Sequence, residues 1–330
     1  MTTKSILVLG AGSWGTALAL VLARNQQQVY LWDIDDALIK KLQDERCNQR
    51  YIPSVKFPDN LTPVSDIKQV PSETKLFVLA VPCHGLRSSL ELLKRFDGIS
   101  LCLACKGFEP GTHKLNHEVV EETVPGCHTA ILSGPSFAKE VGAGLPTAVT
   151  IAAKDISVAQ SYADLFHSDV FRIYTHDDYI GVQVGGAVKN VMAIAAGIAD
   201  GLGFGANARA ALITRGLHEI MLLGLAMGAQ KETFMGLAGL GDLVLTCTDN
   251  QSRNRSLGLL LAEGLSVEEA SNKIGQAIEG LKTANEVGEL ARKYNIEMPI
   301  TDQVINVLQT KCSPRDAVQN LLTREPKSEM

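Results

Sequence analysis

The chain has little of what marks several classes of protein. Aromatic residues make up only 5% of its 330 residues, which is poor for an all-β fold. Positive charge is not in excess, because 31 Lys and Arg stand against 36 Asp and Glu, and no basic field attracts nucleic acid or an anionic membrane. Repeats and low-complexity tracts are also missing. With 45% hydrophobic and 20% charged residues, the composition is that of a folded α/β protein.

The cysteines do not form a disulfide framework. There are seven of them, an odd number, and they are scattered along the chain. This pattern is normal in a reducing compartment, so we expect a cytoplasmic protein. Cys102 and Cys105 make a C-x-x-C pair, but no second Cys or His pair follows at metal-ligand spacing. We predict buried thiols and no metal site.

Two apolar stretches imitate membrane signals. Residues 5–23 carry no charge and follow Lys4, like the apolar part of a secretory leader, but three glycines at a dinucleotide-binding spacing interrupt them. Residues 179–199 are long enough to span a bilayer, but Lys189 at the centre would cost about 2.5 to 3.5 kcal/mol there. We therefore predict a helix buried in protein, without membrane insertion.

The first half alternates short apolar runs with helical patterns. Helices are predicted directly after the glycines and near residues 86–96. The predicted strands are residues 5–9, 29–32, 76–81, 99–105, 129–132, 147–152 and 171–174. Strands that alternate with helices predict a parallel, doubly wound sheet, which binds ligands at the carboxyl ends of its strands.

The second half has a different pattern, because strand signals stop after about Asp178. Start signals such as Ser266 with Glu269, which form a capping box, mark helices instead. The predicted helices are residues 179–200, 208–227, 266–274, 283–294, 299–309 and 314–322. We predict that residues 179–330 form an all-α domain.

A glycine fingerprint follows the first predicted strand. Gly10, Gly12 and Gly15 form G-x-G-x-x-G, in which the first two allow a tight turn and close approach to a pyrophosphate and the third lets helix and strand pack. Asp33 closes the next strand, where a carboxylate binds the ribose of a dinucleotide. A glycine-rich core turn would not require Asp33. We therefore predict a Rossmann-type dinucleotide-binding domain over residues 1–178, although NAD and FAD share the fingerprint.

Two loops follow predicted strands at the carboxyl edge of the sheet. S133-G-P-S-F-A138 is rich in small residues, as in loops that let the backbone approach a ligand, although a plain turn has the same composition. Lys106 stands just past the strand at 99–105, where a cation would face a nucleotide or a phosphate. A solvated surface lysine is the alternative.

Two isolated charges mark the second half. Lys189 is the only charged side chain in residues 179–199, and Asp242 is the only one in residues 233–248. Because a charge buried without a partner is costly, we expect the two to meet. A lysine beside a carboxylate is suited to exchange a proton with a carbonyl or an alcohol. For Lys189 alone, a snorkelling surface lysine would be the alternative.

A cationic helix start lies at S252-R-N-R255. Ser252 and Asn254 are residues that cap helices, and we predict a helix that begins near Arg255. A capped helix start with two arginines is a natural phosphate receptor. A solvated cationic turn with an ordinary cap is the alternative.

Taken together, these motifs resemble the glycerol-3-phosphate dehydrogenase family, and most closely its bacterial NAD(P)-dependent branch. The resemblance covers nearly the whole chain, and its lysine and S-R-N-R blocks are much more specific than the glycine fingerprint. The blocks that carry it are L9-G-A-G-S-W-G15, N48-x-R-Y-I-P53, A80-V-P82, C105-K-G107, S133-G-P-S-F-A138, G186-A-V-K-N190, G239-L-G-D-L243, S252-R-N-R255 and I278-E-G280.

The resemblance implies a Rossmann domain, a homodimer and a role for each matching residue. It also implies that the helical domain over residues 179–330 binds substrate and carries out catalysis. Lys189 is then the general acid/base. The implied substrate positions are Lys106, Gly134, Ser136, Asn190, Asp242, Thr246, Ser252, Arg253 and Asn254. The cofactor positions, which include those of the fingerprint, are Gly10, Gly12, Ser13, Trp14, Gly15, Asp33, Ile34, Lys106, Ala138, Arg253, Ala277 and Glu279.

The expected reaction is hydride transfer between NAD(P)H and dihydroxyacetone phosphate, giving sn-glycerol 3-phosphate for phospholipid synthesis. Ile34 departs from the family, because many bacterial members carry His or Arg at this position. Asp33 and Ile34 together favour NADH over NADPH. The alternatives are a dehydrogenase of the 6-phosphogluconate or β-hydroxyacid type, and a nucleotide-sensing regulator without turnover.

Overall fold

The computed structural model describes residues 3–325, and the chain divides into two compact units. The first unit runs to Glu109 and continues over Lys114–Gln183. The second unit comprises Pro110–His113 and the chain from Val184 onward.

A large sheet forms the core of the first unit. Its strands are β1 (Ser5–Leu9), β2 (Gln28–Trp32), β5 (Leu61–Val64), β6 (Leu76–Leu79), β7 (Ser100–Leu103), β8 (His128–Ser133), β9 (Thr147–Ala153) and β10 (Phe171–His176). Their order across the sheet is β10-β9-β8-β7-β6-β1-β2-β5. β3 (Cys47–Asn48) and β4 (Ile52–Lys56) pair separately and antiparallel. All seven predicted strands are confirmed.

The predicted parallel, doubly wound sheet is confirmed except at one pair of strands. Neighbouring strands are parallel except β8 and β9, which pair antiparallel. The helix between them, Ala138–Ala143, has six residues and rises only about 9 Å. It is too short to carry the chain back across a strand that is about 20 Å long. β9 therefore starts at the edge where β8 ends.

β5 was not predicted, because its sequence L-T-P-V contains Pro63. Proline has no N–H and is confined to positions such as edge strands. β5 is the last strand of the sheet and pairs only with β2. Its outer side needs no ladder hydrogen bonds, so Pro63 is tolerated.

The helices of the first unit are α1 (Ser13–Arg24), α2 (Asp36–Glu45), α3 (Leu86–Leu93), α4 (Asn116–Thr123), α5 (Ala138–Ala143) and α6 (Ile156–Phe166), of which α1, α2 and α6 pack against the sheet. α1 is apolar on every side, and its residues from Gly15 to Ala23 are all buried. Ile6, Val8 and Leu31 of the central strands join it in the core. α1 is thereby held rigidly, with its first turn at the carboxyl ends of β1 and β2.

The second unit is helical, as predicted, and no strand lies between Val184 and Glu325. Its helices are α7 (Tyr179–Gly201, begun in the first unit), α8 (Gly205–Ala226), α9 (Asp242–Thr248), α10 (Arg253–Ala262), α11 (Val267–Ile274), α12 (Glu279–Tyr294), α13 (Pro299–Leu308) and α14 (Pro314–Leu322). This unit also contains a short 3-10 turn at Lys231–Met235 and a π-helical turn at Leu237–Gly241. The first unit has short 3-10 turns at Ile67–Gln69 and Cys83–Gly85.

α7 is long and apolar enough, by length and composition, to cross a membrane. Its most apolar window is nevertheless completely buried in protein. Glycines let other backbone come close: a Cβ on Gly185 would lie 2.5 Å from the Ala238 carbonyl oxygen, and one on Gly197 would lie 2.1 Å from that of Arg255. α7 is thus the core helix of the second unit, and it brings distant segments together.

A buried carboxylate joins α8 to α13. Glu219 accepts hydrogen bonds from the backbone N–H groups of Ile300 (2.7 Å) and Thr301 (3.2 Å), where Met298 provides no side-chain cap. Burial raises the pKa of Glu219 to about 7, although these hydrogen bonds lower it. The start of α13 is therefore capped from another helix.

Candidate active site

The glycine loop between β1 and α1 has the geometry that the fingerprint predicts. Gly10 has φ +99°, which a residue with a side chain rarely adopts. A Cβ on Gly15 would lie 1.8 Å from the Gly10 carbonyl oxygen, so helix and turn could not pack. A Cβ on Gly12 would meet nothing within 4 Å. The first and third glycines are thus required by the fold, whereas the second faces open space.

Two polar side chains hold this loop through Ala11. Asp33 accepts from the Ala11 N–H (2.6 Å), and its other oxygen accepts from the Asp35 N–H (3.0 Å). Asn48 donates to the Ala11 carbonyl (2.9 Å) and to Thr16 Oγ1 (2.8 Å). In the sequence, Asn48 stood out only as part of a family motif, and this contact was not predicted. Ile34, beside Asp33, is 85% exposed.

The start of α1 fits a dinucleotide phosphate. Its N-cap, Gly12, makes no side-chain hydrogen bond, and the first turn carries no acidic residue. Ser13 and Trp14 open the helix, and the buried Trp14 Nε1 has no hydrogen-bond partner among the described residues. The exposed N–H groups of a helix start attract an anion, and the open space at Gly12 leaves room for one.

Lys106, Gly134 and Ser136, predicted separately, meet in the first unit. Lys106 Nζ donates to the Gly134 carbonyl at 3.1 Å, and Ser136 Oγ donates to the same oxygen at 2.9 Å. Gly134 has φ +142°, and a Cβ there would lie 3.0 Å from Val149. Lys106 is therefore anchored rather than solvated. Ala138 opens α5 directly beyond this cluster.

Lys189 and Asp242 meet inside the second unit, which confirms the predicted pairing. Lys189 Nζ donates to Asp242 Oδ1 and, at 3.0 Å, to Thr246 Oγ1. Lys189 is 7% exposed and Asp242 1%. Thr246 in turn donates to the Asp242 carbonyl at 2.6 Å. The ammonium is held in a fixed place by two oxygen atoms.

The π-helical turn Leu237–Gly241 sets this geometry. It passes directly into α9, of which Asp242 is the first residue. Such turns are rare and occur frequently at functional sites. Because Gly185 has no side chain, α7 lies against this turn, and Lys189, one helical turn further on, points at Asp242.

A chain of amides joins three segments next to Lys189. Asn254 Nδ2 donates to Asn190 Oδ1 at 2.9 Å, and Asn254 Oδ1 accepts from the Gly280 N–H at 2.9 Å. A Cβ on Gly280 would lie 2.6 Å from Asn254 Oδ1, which explains the glycine in I278-E-G280. Both asparagines are buried. Among residues 3–325, one N–H of the Asn254 amide and both N–H groups of the Asn190 amide make no hydrogen bond, so they remain for a ligand.

Two details of the S-R-N-R prediction need correction. Ser252 is the N-cap and accepts from the Arg255 N–H at 3.2 Å, but α10 begins at Arg253, so Asn254 is helical and not a cap. Arg255 does not stand at a phosphate receptor, because it is buried and paired with Asp200. Arg253 is half-buried, and its side chain forms no ion pair or hydrogen bond with any residue from 3 to 325. Arg253 is therefore the arginine of this motif that remains available to bind an anion.

The remaining predicted residues, Ala277 and Glu279, shortly precede Gly280 in the chain. Ala277 is exposed, and Glu279 is the half-buried first residue of α12. No group of three or more His, Cys, Asp or Glu residues in the described chain is placed to hold a metal ion. Cys102 and Cys105 are buried thiols, as predicted, and burial raises the pKa of the Cys102 thiol.

Comparisons with known proteins match this arrangement. The protein-family model described as NAD-dependent glycerol-3-phosphate dehydrogenase N-terminus matches residues 5–159. The family model of the C-terminus of the same enzyme matches residues 178–319. The chain belongs to this family. It is therefore an NAD(P)-dependent oxidoreductase that acts on a CH–OH group.

Relatives extend over the full chain. A glycerol-3-phosphate dehydrogenase (NAD(P)+) of Nitrosococcus oceani is 55% identical over 326 residues, covering 98% of this chain and 95% of the relative. One of Bartonella henselae is 50% identical over 334 residues, covering 100% and 98%. The crystal structure of glycerol-3-phosphate dehydrogenase from Coxiella burnetii is 46% identical, has a TM-score of 0.94 and covers 98% of this chain and 99% of that one.

Family membership decides between the alternatives raised by the sequence. Relatives that are about half identical over the whole length carry one name, which is not that of a 6-phosphogluconate or β-hydroxyacid dehydrogenase. The chain also keeps the Lys189–Asp242 pair that a sensor without turnover would not need.

Proposed function

We propose that Lys189 is the general acid/base of a glycerol-3-phosphate dehydrogenase in which Arg253 binds the substrate phosphate. The family's reaction is reversible hydride transfer between NAD(P)H and dihydroxyacetone phosphate, which gives sn-glycerol 3-phosphate for glycerophospholipid synthesis. The single observation that carries the assignment is the buried Lys189 ammonium beside Asp242.

The lysine moves one proton. During reduction, Lys189 Nζ donates a proton to the oxygen on C2 as negative charge develops there, and in the reverse direction it removes the proton from the alcohol. Asp242 holds the lysine Nζ in place beforehand, because the two groups share a charge-assisted hydrogen bond. Thr246 fixes its direction from the other side. The bound coenzyme supplies the hydride.

The phosphate is assigned to the start of α10. Arg253 provides an uncompensated guanidinium, and the N–H groups of the first turn have no intrahelical partner. Ser252 already caps the Arg255 N–H, so it orders the turn. Asn190 and Asn254 each retain an N–H for the substrate. Together these donors distinguish a phosphorylated triose from its unphosphorylated form.

Coenzyme binding is assigned to the glycine loop and its neighbours. Gly10, Gly12 and Gly15 shape the turn, and Ser13 with Trp14 presents the helix start to the pyrophosphate. Ala138, Arg253, Ala277 and Glu279 complete the assigned coenzyme residues. Gly134 and Ser136 are assigned to the substrate. Lys106 is assigned to both the substrate and the coenzyme.

We assign a preference for NADH over NADPH. Asp33 would repel a 2′-phosphate, and the exposed Ile34 provides no cation to receive it. We also propose that the enzyme is cytoplasmic, because none of its seven cysteines, all of which lie among the described residues, forms a disulfide. We further propose that it works as a homodimer.

The test is a pair of variants. We expect Lys189→Ala to bind NADH normally but to lose about two to four decades of kcat, as for a missing general acid. We expect Arg253→Ala to raise KM for dihydroxyacetone phosphate strongly and to remove most of the preference over dihydroxyacetone. NADH oxidation measures both, and the folded state is checked by thermal unfolding. Near-normal turnover by Lys189→Ala, or an unchanged preference in Arg253→Ala, would refute the respective role.

A further inference from the structure

Arg255 is a buried arginine that the proposed reaction does not use. Its Nε donates to the Cys247 carbonyl at 3.1 Å, one terminal nitrogen donates to Asn250 Oδ1, and the other donates to Asp200 Oδ2 at 2.6 Å. Its side chain is only 9% exposed. Cys247 lies near the end of α9, Asp200 near the end of α7, and Asn250 in the loop between α9 and α10.

These are the elements that carry the proposed site of the second unit. α7 bears Lys189 and Asn190, α9 bears Asp242 and Thr246, and α10 bears Arg253 and Asn254. The Arg255 guanidinium is bonded to two of these helices and is itself part of the third. Its backbone is held as well, because its N–H donates to Ser252 and its carbonyl lies against Gly197 of α7.

Charge balance does not require Arg255. Asp200 also accepts two hydrogen bonds from Arg209, both at 2.9 Å, so its carboxylate keeps a cationic partner without Arg255. The Arg209 side chain is 31% exposed, against 9% for Arg255. What Arg255 alone provides is shape: a planar fork that reaches a carboxylate, a carbonyl and an amide at once, which the single ammonium of a lysine cannot do.

We infer that Arg255 is a positioning residue that orients the first turn of α10, and with it Arg253 and Asn254, toward the substrate phosphate. The inference rests on the proposed function, because it presumes that Arg253 binds that phosphate. Lys189, Asp242 and Thr246 hold one another without Arg255, so the proton-transfer group should not depend on it.

The experiment compares Arg255→Gln, Arg255→Lys and Asn250→Ala with the matched control Arg209→Gln, which removes the exposed arginine of the same carboxylate. Initial rates are measured with dihydroxyacetone phosphate and with dihydroxyacetone. We expect Arg255→Gln to raise KM for the phosphorylated substrate on the order of tenfold. Arg255→Lys and Asn250→Ala should raise this KM by a smaller factor. Turnover at saturation, and kcat/KM for dihydroxyacetone, should stay within about twofold of the parent. Arg209→Gln should resemble the parent throughout.

Two results would overturn the inference. One is an unchanged KM for dihydroxyacetone phosphate in folded Arg255→Gln and Asn250→Ala. The other is an equal loss with both substrates, which would mean that Arg255 only stabilises the fold. If Arg255→Gln does not fold, Arg255→Lys and the exposed Asn250→Ala decide by the same criteria. Failure of the proposed function is distinguishable, because Arg253→Ala would then leave the phosphate preference intact.

Discussion

The glycine loop allows two neighbouring glycines to be tested for different roles with the same substitution. A Cβ on Gly15 would lie 1.8 Å from the Gly10 carbonyl oxygen, whereas ordinary contacts begin near 3.4 Å. Gly15→Ala must therefore separate helix and turn by about 1.6 Å. Overpacking of this kind costs about 1–3 kcal/mol, which lowers the melting temperature of a unit of this size by roughly 2–12 °C.

Gly12→Ala should behave in the opposite way. Its φ of −68° and ψ of −173° are open to alanine, and no atom lies within 4 Å of the new Cβ. We expect the melting temperature to stay within about 2 °C of the parent. If the pyrophosphate of the coenzyme approaches this position, the methyl group occupies its place, and NADH affinity should fall on the order of tenfold or more.

The assay is a titration with NADH, followed by energy transfer from tryptophan to the nicotinamide, together with thermal unfolding of the free protein. Gly85→Ala is the matched control in the same unit, because Gly85 has a negative φ and open space around a Cβ. Unchanged NADH affinity in Gly12→Ala would refute the assignment of this loop to the coenzyme. A large loss of stability in Gly12→Ala would refute the packing analysis.

Further predictions concern the coenzyme and pH. Asp33→Ser with Ile34→Arg should shift kcat/KM toward NADPH at one saturating substrate level, and an NADPH preference in the parent would contradict the role of this loop. Asp33→Ser alone should also destabilise the turn, because the Ala11 N–H loses its acceptor; an unchanged melting temperature would argue against that contact. Burial raises the pKa of Glu219 to about 7 from an ordinary 4.5, so the folded state retains a proton that the unfolded state has lost. Relative to Glu219→Gln, the unfolding free energy of the parent should therefore fall by roughly 3 kcal/mol as pH rises from about 4.5 to about 7, and a flat difference in urea titrations would refute the buried-carboxylate explanation.

The sequence by itself determined the features that depend on neighbouring residues. The G-x-G-x-x-G spacing predicts a turn and a helix because three glycines within six residues act on one local backbone conformation. The seven apolar runs likewise predict their strands, because each run lies within one short segment of the chain. The isolation of Lys189 and Asp242 in apolar segments predicted their pairing, since each charge required a buried partner and only one of opposite sign stood in a similar setting.

Only the tertiary structure decided which partner each polar group takes when several are available. Asp33 turns toward the Ala11 N–H, and Arg255 reaches Asp200 across 55 positions of the chain. Asn254 bonds to Asn190 and to the Gly280 N–H at the start of α12, instead of capping its own helix. The chain offers many carboxylates to an arginine and many N–H groups to an amide. The choice among them follows from helix packing, because atoms must come within about 3 Å in the right direction. Close passages at glycines of α7 bring those helices together, and their contacts involve residues far apart in the chain.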